Sequence, residues 1–168
     1  MALLDTRRED IEHHLAKYPP DQKRSAVMPL LYIAQEEYGY VTPEAMQEIA
    51  DILDIDVTHV HGIVGFYTMY YEKPKGKYLI QICTDLPCAL RGAEEFSQHV
   101  CDLLGIQPGE TTPDGLFTVE NVMCIAACDK APVAQINFSY HENLDIERFN
   151  KLLEALRREA EASRPYDE

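Results

Sequence analysis

The spacing of apolar residues changes character once along the chain. Up to about residue 72 the period is helical. Val27, Leu30, Leu31, Ala34 and Tyr38 recur at three- and four-residue steps and stop at Gly39, which predicts a helix closed by a glycine cap. Pro29 falls in its first turn, where a kink is expected. Thr42 and Pro43 read as an N-cap and a first helical residue, ahead of Met46, Ile49, Ala50 and Leu53 on one face. A shorter helix carries Val57, Val60 and Val64, and the aromatic run Phe66, Tyr67, Tyr70 and Tyr71 follows it. These aromatics suit a core or an interface, since they bring large apolar area to either.

Lys73-Pro74-Lys75-Gly76 punctuates the chain and sets a boundary, with a helical domain over 1–73 and a second domain over 74–168. Tyr78, Ile80 and Ile82 then alternate with Leu79 and Gln81, predicting a strand that runs into Cys83. A helix after Cys88 is expected to bury Ala93, Phe96, Val100, Leu103 and Leu104 and to stop at Gly105. Residues 117–123 form a second strand ending at Cys124, and residues 133–138 and 140–143 are expected to pair as a hairpin across Ser139. The last helix has Ile146, Phe149, Leu152, Leu153 and Leu156 on one face, and the charged tail from Arg157 should fray.

This order predicts an α+β chain, an N-terminal helical bundle followed by a thioredoxin-like domain. Its first strand, helix and second strand form a crossover unit, which makes the two strands parallel. Parallel strands end at the same sheet edge, where open α/β sheets place their ligands. Cys83 and Cys124 both stand at such ends, so loops separated by 35 residues should converge.

Charge narrows the partners. The chain has 15 Lys plus Arg against 29 Asp plus Glu, a formal charge of -14, and no basic cluster, so nucleic acid is not expected. An apolar fraction of 46% is enough for a core, yet no run approaches the roughly 18 apolar residues of a membrane span. The N-terminus shows no export signal, which implies a cytoplasmic protein with reduced thiols. Five cysteines then suggest metal ligands before disulfides.

The pattern is C-x4-C at Cys83 and Cys88, then C-x3-C at Cys124 and Cys128. A 2Fe-2S cluster takes two thiolates per iron, so two pairs from two loops match it, and the N-terminus of a helix after Cys88 would favour its negative charge. No histidine lies in either loop, against a Rieske site. On spacing alone structural zinc stays open, although its cysteines usually form C-x2-C knuckles. A thioredoxin-type redox pair would need C-x-x-C, which is absent. Cys101 lies mid-helix and suits packing. His59 and His61, two apart, and the adjacent His13 and His14 make no catalytic pair. There is no G-x-G-x-x-G or Walker loop, and Gly62-x-x-Gly65 follows no strand.

The segments at 62–68 (Gly-Ile-Val-Gly-Phe-Tyr-Thr), 74–78, 83–88, 91–93, 105–118 and 124–132 closely resemble the thioredoxin-like 2Fe-2S subunit of NADH:quinone oxidoreductase, respiratory complex I. The likeness runs over almost the whole chain. It implies one 2Fe-2S cluster per chain on Cys83, Cys88, Cys124 and Cys128, with zinc reduced to a minor alternative. It also implies a flavoprotein partner that binds FMN and NADH, and a place peripheral to the membrane through the complex. An equivalent subunit of a soluble NAD-linked hydrogenase or formate dehydrogenase is similar, and a zinc-stabilised adaptor is the rival from another class. The sequence departs from the family at Met123, usually acidic, at Ala126, often glycine, and at Asp85-Leu86, usually small or hydroxylic. Those positions bear on hydrogen bonds to sulfur.

Overall fold

The computed structural model describes residues 3–162 and divides the chain into two compact units, one ending at Pro74 and the other beginning at Lys75.

The first unit is helical. It contains α1 (Leu3–Thr6), α2 (Arg8–Leu15), a 3-10 stretch (Pro20–Ala26), α3 (Val27–Tyr38), α4 (Pro43–Leu53) and α5 (Val57–Phe66). Helix α3 runs unbroken past Pro29, because a proline in the first turn removes an N–H that has no helical partner there, and it closes on Gly39 at φ 79°. Thr42 caps α4 by accepting from the Ala45 N–H at 3.1 Å, an interaction of about 1 kcal/mol. Leu30, Leu31, Ile49, Leu53, Val60 and Val64 fill the core. The aromatic run is not buried as a unit. Tyr70 is buried and its hydroxyl donates to the Met28 carbonyl at 3.1 Å, whereas Phe66 is 77% exposed.

The second unit is a four-stranded mixed sheet with two long helices on one face. Its elements are β1 (Tyr78–Cys83), α6 (Leu86–Ala89), α7 (Ala93–Leu104), β2 (Phe117–Val122), β3 (Ala134–Ile136), β4 (Ser139–His141) and α8 (Ile146–Ala162). The strand order is β2-β1-β3-β4, with β1 and β2 parallel and the other pairs antiparallel. This is the expected α+β class and the expected parallel crossover. Ile80, Ile82, Phe117, Val119 and Ile136 meet Phe96 and Val100 of α7 and Phe149 and Leu153 of α8 in one core. Phe96 and Phe149 pack edge to face at 5.4 Å.

Three local expectations are corrected. In α7 the buried positions are Ala93, Phe96, Ser97, Val100, Cys101 and Leu104, a clean i, i+3, i+4 series that leaves Leu103 46% exposed. Cys101 therefore packs inside the stripe. The hairpin turns at Asn137 and Phe138, with Ser139 already paired to Ile136. One residue cannot reverse a strand, whereas Asn137 accepts φ 52° and its side-chain oxygen accepts from the Leu79 N–H at 2.9 Å. Helix α8 does not fray at Arg157 but continues to Ala162, since Ala160 is buried against the same core. The remainder of that tail, 163–168, lies outside the described residues.

Candidate functional site

The parallel pairing brings the two cysteine loops together. Cys83, the last residue of β1, is in register with Val122, the last residue of β2. Beyond them the Thr84 N–H donates to the Val122 carbonyl at 2.9 Å, and the Thr84 hydroxyl reaches the same oxygen at 3.4 Å. The Cys83 thiol faces the Met123 carbonyl at 3.7 Å. Cys83 is also tied to a third segment, donating its N–H to the Val133 carbonyl at 3.2 Å.

After β1 the chain turns at once into α6. Asp85 caps it, accepting from the Leu86 N–H at 2.9 Å, and Pro87 occupies its second position. Cys88 sits inside this four-residue helix. The expected helix N-terminus for the cluster's charge is thus corrected. The helix at Cys88 is a single turn already capped by a carboxylate, and α7 starts only at Ala93 with Glu94 and Glu95 in its first turn.

After β2 the loop carries Met123 and Cys124, passes through Ala126 at φ 58°, and reaches Cys128 at the start of a short 3-10 turn (Cys128–Lys130). The Ala126 N–H donates to the Cys124 sulfur at 3.4 Å. Cys83 and Cys88 are buried with Ala93, Ala131 and Val133, while Cys124 and Cys128 are exposed. Leu86, Leu90 and Met123 stand largely exposed on the same loops.

Two of the thiols, Cys88 and Cys128, are perturbed by their neighbours. Cys88 is pushed up to about 11, first by burial and then by the neighbouring Cys83 thiol, with Cys128 adding to the effect and the Val133 backbone opposing it. Cys128 is raised by desolvation and then by Cys124 and Cys83. Crowded sulfurs resist ionising together, and a bound cation relieves that repulsion. The strongest thiol influence on Cys88 is Cys83 and that on Cys128 is Cys124, which groups the four as two pairs. Among the described residues no three His, Cys, Asp or Glu side chains gather closely enough to hold one metal ion. Two sulfur pairs match the two thiolates that each iron of a 2Fe-2S cluster takes. Cys101 belongs to the helical core and not to this group, its thiol raised by burial.

Sequence reasoning singled out the four cysteines but missed Thr84 and the capping role of Asp85. An Asp followed two residues later by Pro is an N-cap signature that had been readable. Thr84 carries no such signal, because its partner is a carbonyl on another strand.

Comparison with known proteins follows the same outline. A family described as thioredoxin-like 2Fe-2S ferredoxin matches residues 11–157. NADH-quinone oxidoreductase subunit 2 of Thermus thermophilus is 44% identical over 158 residues, 94% of this chain and 87% of that protein. A second NADH-quinone oxidoreductase subunit, from Rhizobium meliloti, is 43% identical over 152 residues, 90% of this chain and 89% of that one. Among solved structures, an NAD+-reducing NiFe-hydrogenase in the air-oxidised state superposes with a TM-score of 0.66 at 24% identity, covering 77% of this chain and 23% of that one. The last likeness concerns the fold alone.

Proposed function

The chain belongs to the thioredoxin-like 2Fe-2S ferredoxin family, and from that premise we propose that it is the 2Fe-2S electron-transfer subunit of an NADH-quinone oxidoreductase. In this reading Cys83, Cys88, Cys124 and Cys128 hold one cluster, and a flavoprotein partner binds NADH and FMN. The observation that carries it is the convergence of two thiol pairs from the ends of β1 and β2, one pair buried and one exposed. When bound, the cluster takes up and returns one electron at a time.

The chain's own residues divide the remaining work. The buried pair, enclosed by Ala93, Ala131 and Val133, keeps water from one side of the site. The exposed pair leaves the other side open to a redox partner, and Leu86, Leu90 and Met123 supply apolar contact beside it. Exposed Phe66 on the helical unit offers a further anchor. A surface of charge -14 favours a basic region on that partner. No helix among the described residues is long and apolar enough to cross a membrane, which suits a peripheral subunit.

The test is analytical and then functional. The purified chain should hold about two irons and two acid-labile sulfides and give the paramagnetic signal of a reduced 2Fe-2S centre. NADH should leave the cluster oxidised until the flavoprotein is added. Stoichiometric zinc without sulfide, or reduction by NADH with this chain alone, would overturn the reading. The second reading is an equivalent place in an NAD-linked hydrogenase, a kind of assembly in which a similar fold occurs. The partners that copurify from the native source, with quinone reductase or hydrogenase activity, separate the two.

A further inference from the structure

Four residues other than glycine adopt positive φ among the described residues: Asp54, Ala126, Asn137 and Asn143. Asp and Asn tolerate this region because their short polar side chains can bond locally. Alanine has no such means, so its Cβ meets the unfavourable contact with nothing in its own side chain to offset it. An uncompensated backbone of this kind points to a constraint imposed by the surroundings. Ala126 sits where the cysteine loop bends, with φ 58°, and directly before that bend its N–H donates to the Cys124 sulfur at 3.4 Å.

We propose that Ala126 is a positioning residue whose backbone N–H, held in a loop that its left-handed conformation bends, donates to Cys124 and thereby raises the reduction potential of the cluster. The proposal rests on the assignment of Cys124 as a ligand. Reduction adds one electron and no proton, so the iron-sulfur unit and its thiolates gain one negative charge. A donor aimed at a thiolate is then bound more strongly in the reduced form, which favours electron uptake. Cys124 is exposed and lies on the loop beyond β2, where this N–H competes with water. A fixed donor needs no reorganisation when the charge arrives, whereas water must reorient. Cys83 provides the contrast, because its sulfur faces the Met123 carbonyl, an acceptor that opposes added charge.

The experiment replaces only the donor. Lactic acid incorporated at position 126 turns the Ala126 peptide into an ester, keeping the methyl group and removing the N–H. The full chain should still load two irons and two sulfides, and its potential in a dithionite titration should fall. A tenfold drop in the ratio of reduced to oxidised cluster at a fixed ambient potential corresponds to about 59 mV for a one-electron couple. An unchanged potential in the loaded ester protein overturns the proposal. If the unaltered chain holds no 2Fe-2S cluster at all, the ligand assignment fails first, and iron and sulfide analysis shows that separately.

A second measurement covers poor loading of the ester. In protein grown with 15N-alanine, pulsed paramagnetic resonance of the reduced cluster should detect a nitrogen coupling that Ala126→Gly abolishes. Growing Ala126→Gly with 15N-glycine should restore it. Its potential should stay unchanged, since glycine enters the left-handed region freely. Persistence of every alanine coupling in Ala126→Gly, or a shifted potential in that variant, counts against Ala126 as the donor.

Discussion

The thiol of Cys83 lies 3.7 Å from the backbone carbonyl of Met123, the residue that precedes Cys124. Forty positions of sequence separate these residues, and the parallel register of β1 on β2 closes that distance. The cysteine site is thus a property of strand pairing, and the first prediction follows from it. Serine at Cys83, Cys88, Cys124 or Cys128 should lose or destabilise the cluster, because an alkoxide is a poor substitute for thiolate. Cys101→Ala should keep the visible spectrum, since that thiol packs in the core of α7 and the sheet. A bleached Cys101→Ala beside a normal spectrum in any of the other four would reverse the assignment.

All four cysteines of the pattern lie beyond Lys75, in a unit with its own hydrophobic core. A fragment beginning at Lys75 should therefore fold and, reconstituted with iron and sulfide, show the spectrum of the full chain. Circular dichroism of an unfolded fragment would show that the helical unit is required for folding.

Gly76 has no room for a side chain. A Cβ there would meet the Phe117 carbonyl carbon at 2.8 Å and the Phe117 nitrogen at 2.9 Å, both backbone atoms at the start of β2. Backbone cannot swing aside as a side-chain end can, so Gly76→Ala should cost about 1–3 kcal/mol. Chemical denaturation of the variant should show a lower midpoint with an unchanged slope.

Asp114 organises the turn before β2. Its Oδ1 accepts from the Thr112 hydroxyl at 2.5 Å and the Leu116 N–H at 3.0 Å, and these bonds hold its carboxyl below its ordinary value of 3.8. A carboxylate with a depressed folded-state pKa contributes stability that is present above the unfolded value and lost as pH falls through the folded one. Asp114→Ala should thus cost about 0.5–1 kcal/mol at neutral pH, a range reduced for the exposure of the site. The gap to the unaltered protein should narrow as pH falls below 3.8. Thermal melts of both proteins across that range are the check, and a gap that stays constant would rule out the ionised carboxylate as its source.

By itself the sequence determined the elements with strong periodicity and explicit punctuation. Helix α4 was legible because Thr42, Pro43 and a face of Met46, Ile49, Ala50 and Leu53 agree at every level, and β1 because its alternation runs straight into a cysteine. The four-cysteine spacing and the parallel crossover were readable for the same reason, as local chemistry and chain connectivity state both. Tertiary structure decided the rest. Leu103 and Cys101 are both apolar and two residues apart, so only the angle at which α7 meets the sheet determines which is buried. The hairpin turn settled at Asn137 because the Leu79 backbone on β1 holds it there. The exposure of Cys124 and Cys128, the burial of Cys83 and Cys88, and the left-handed backbone of Ala126 depend on where β2 releases its loop against β1. Those are long-range contacts, and no local pattern of residues encodes them.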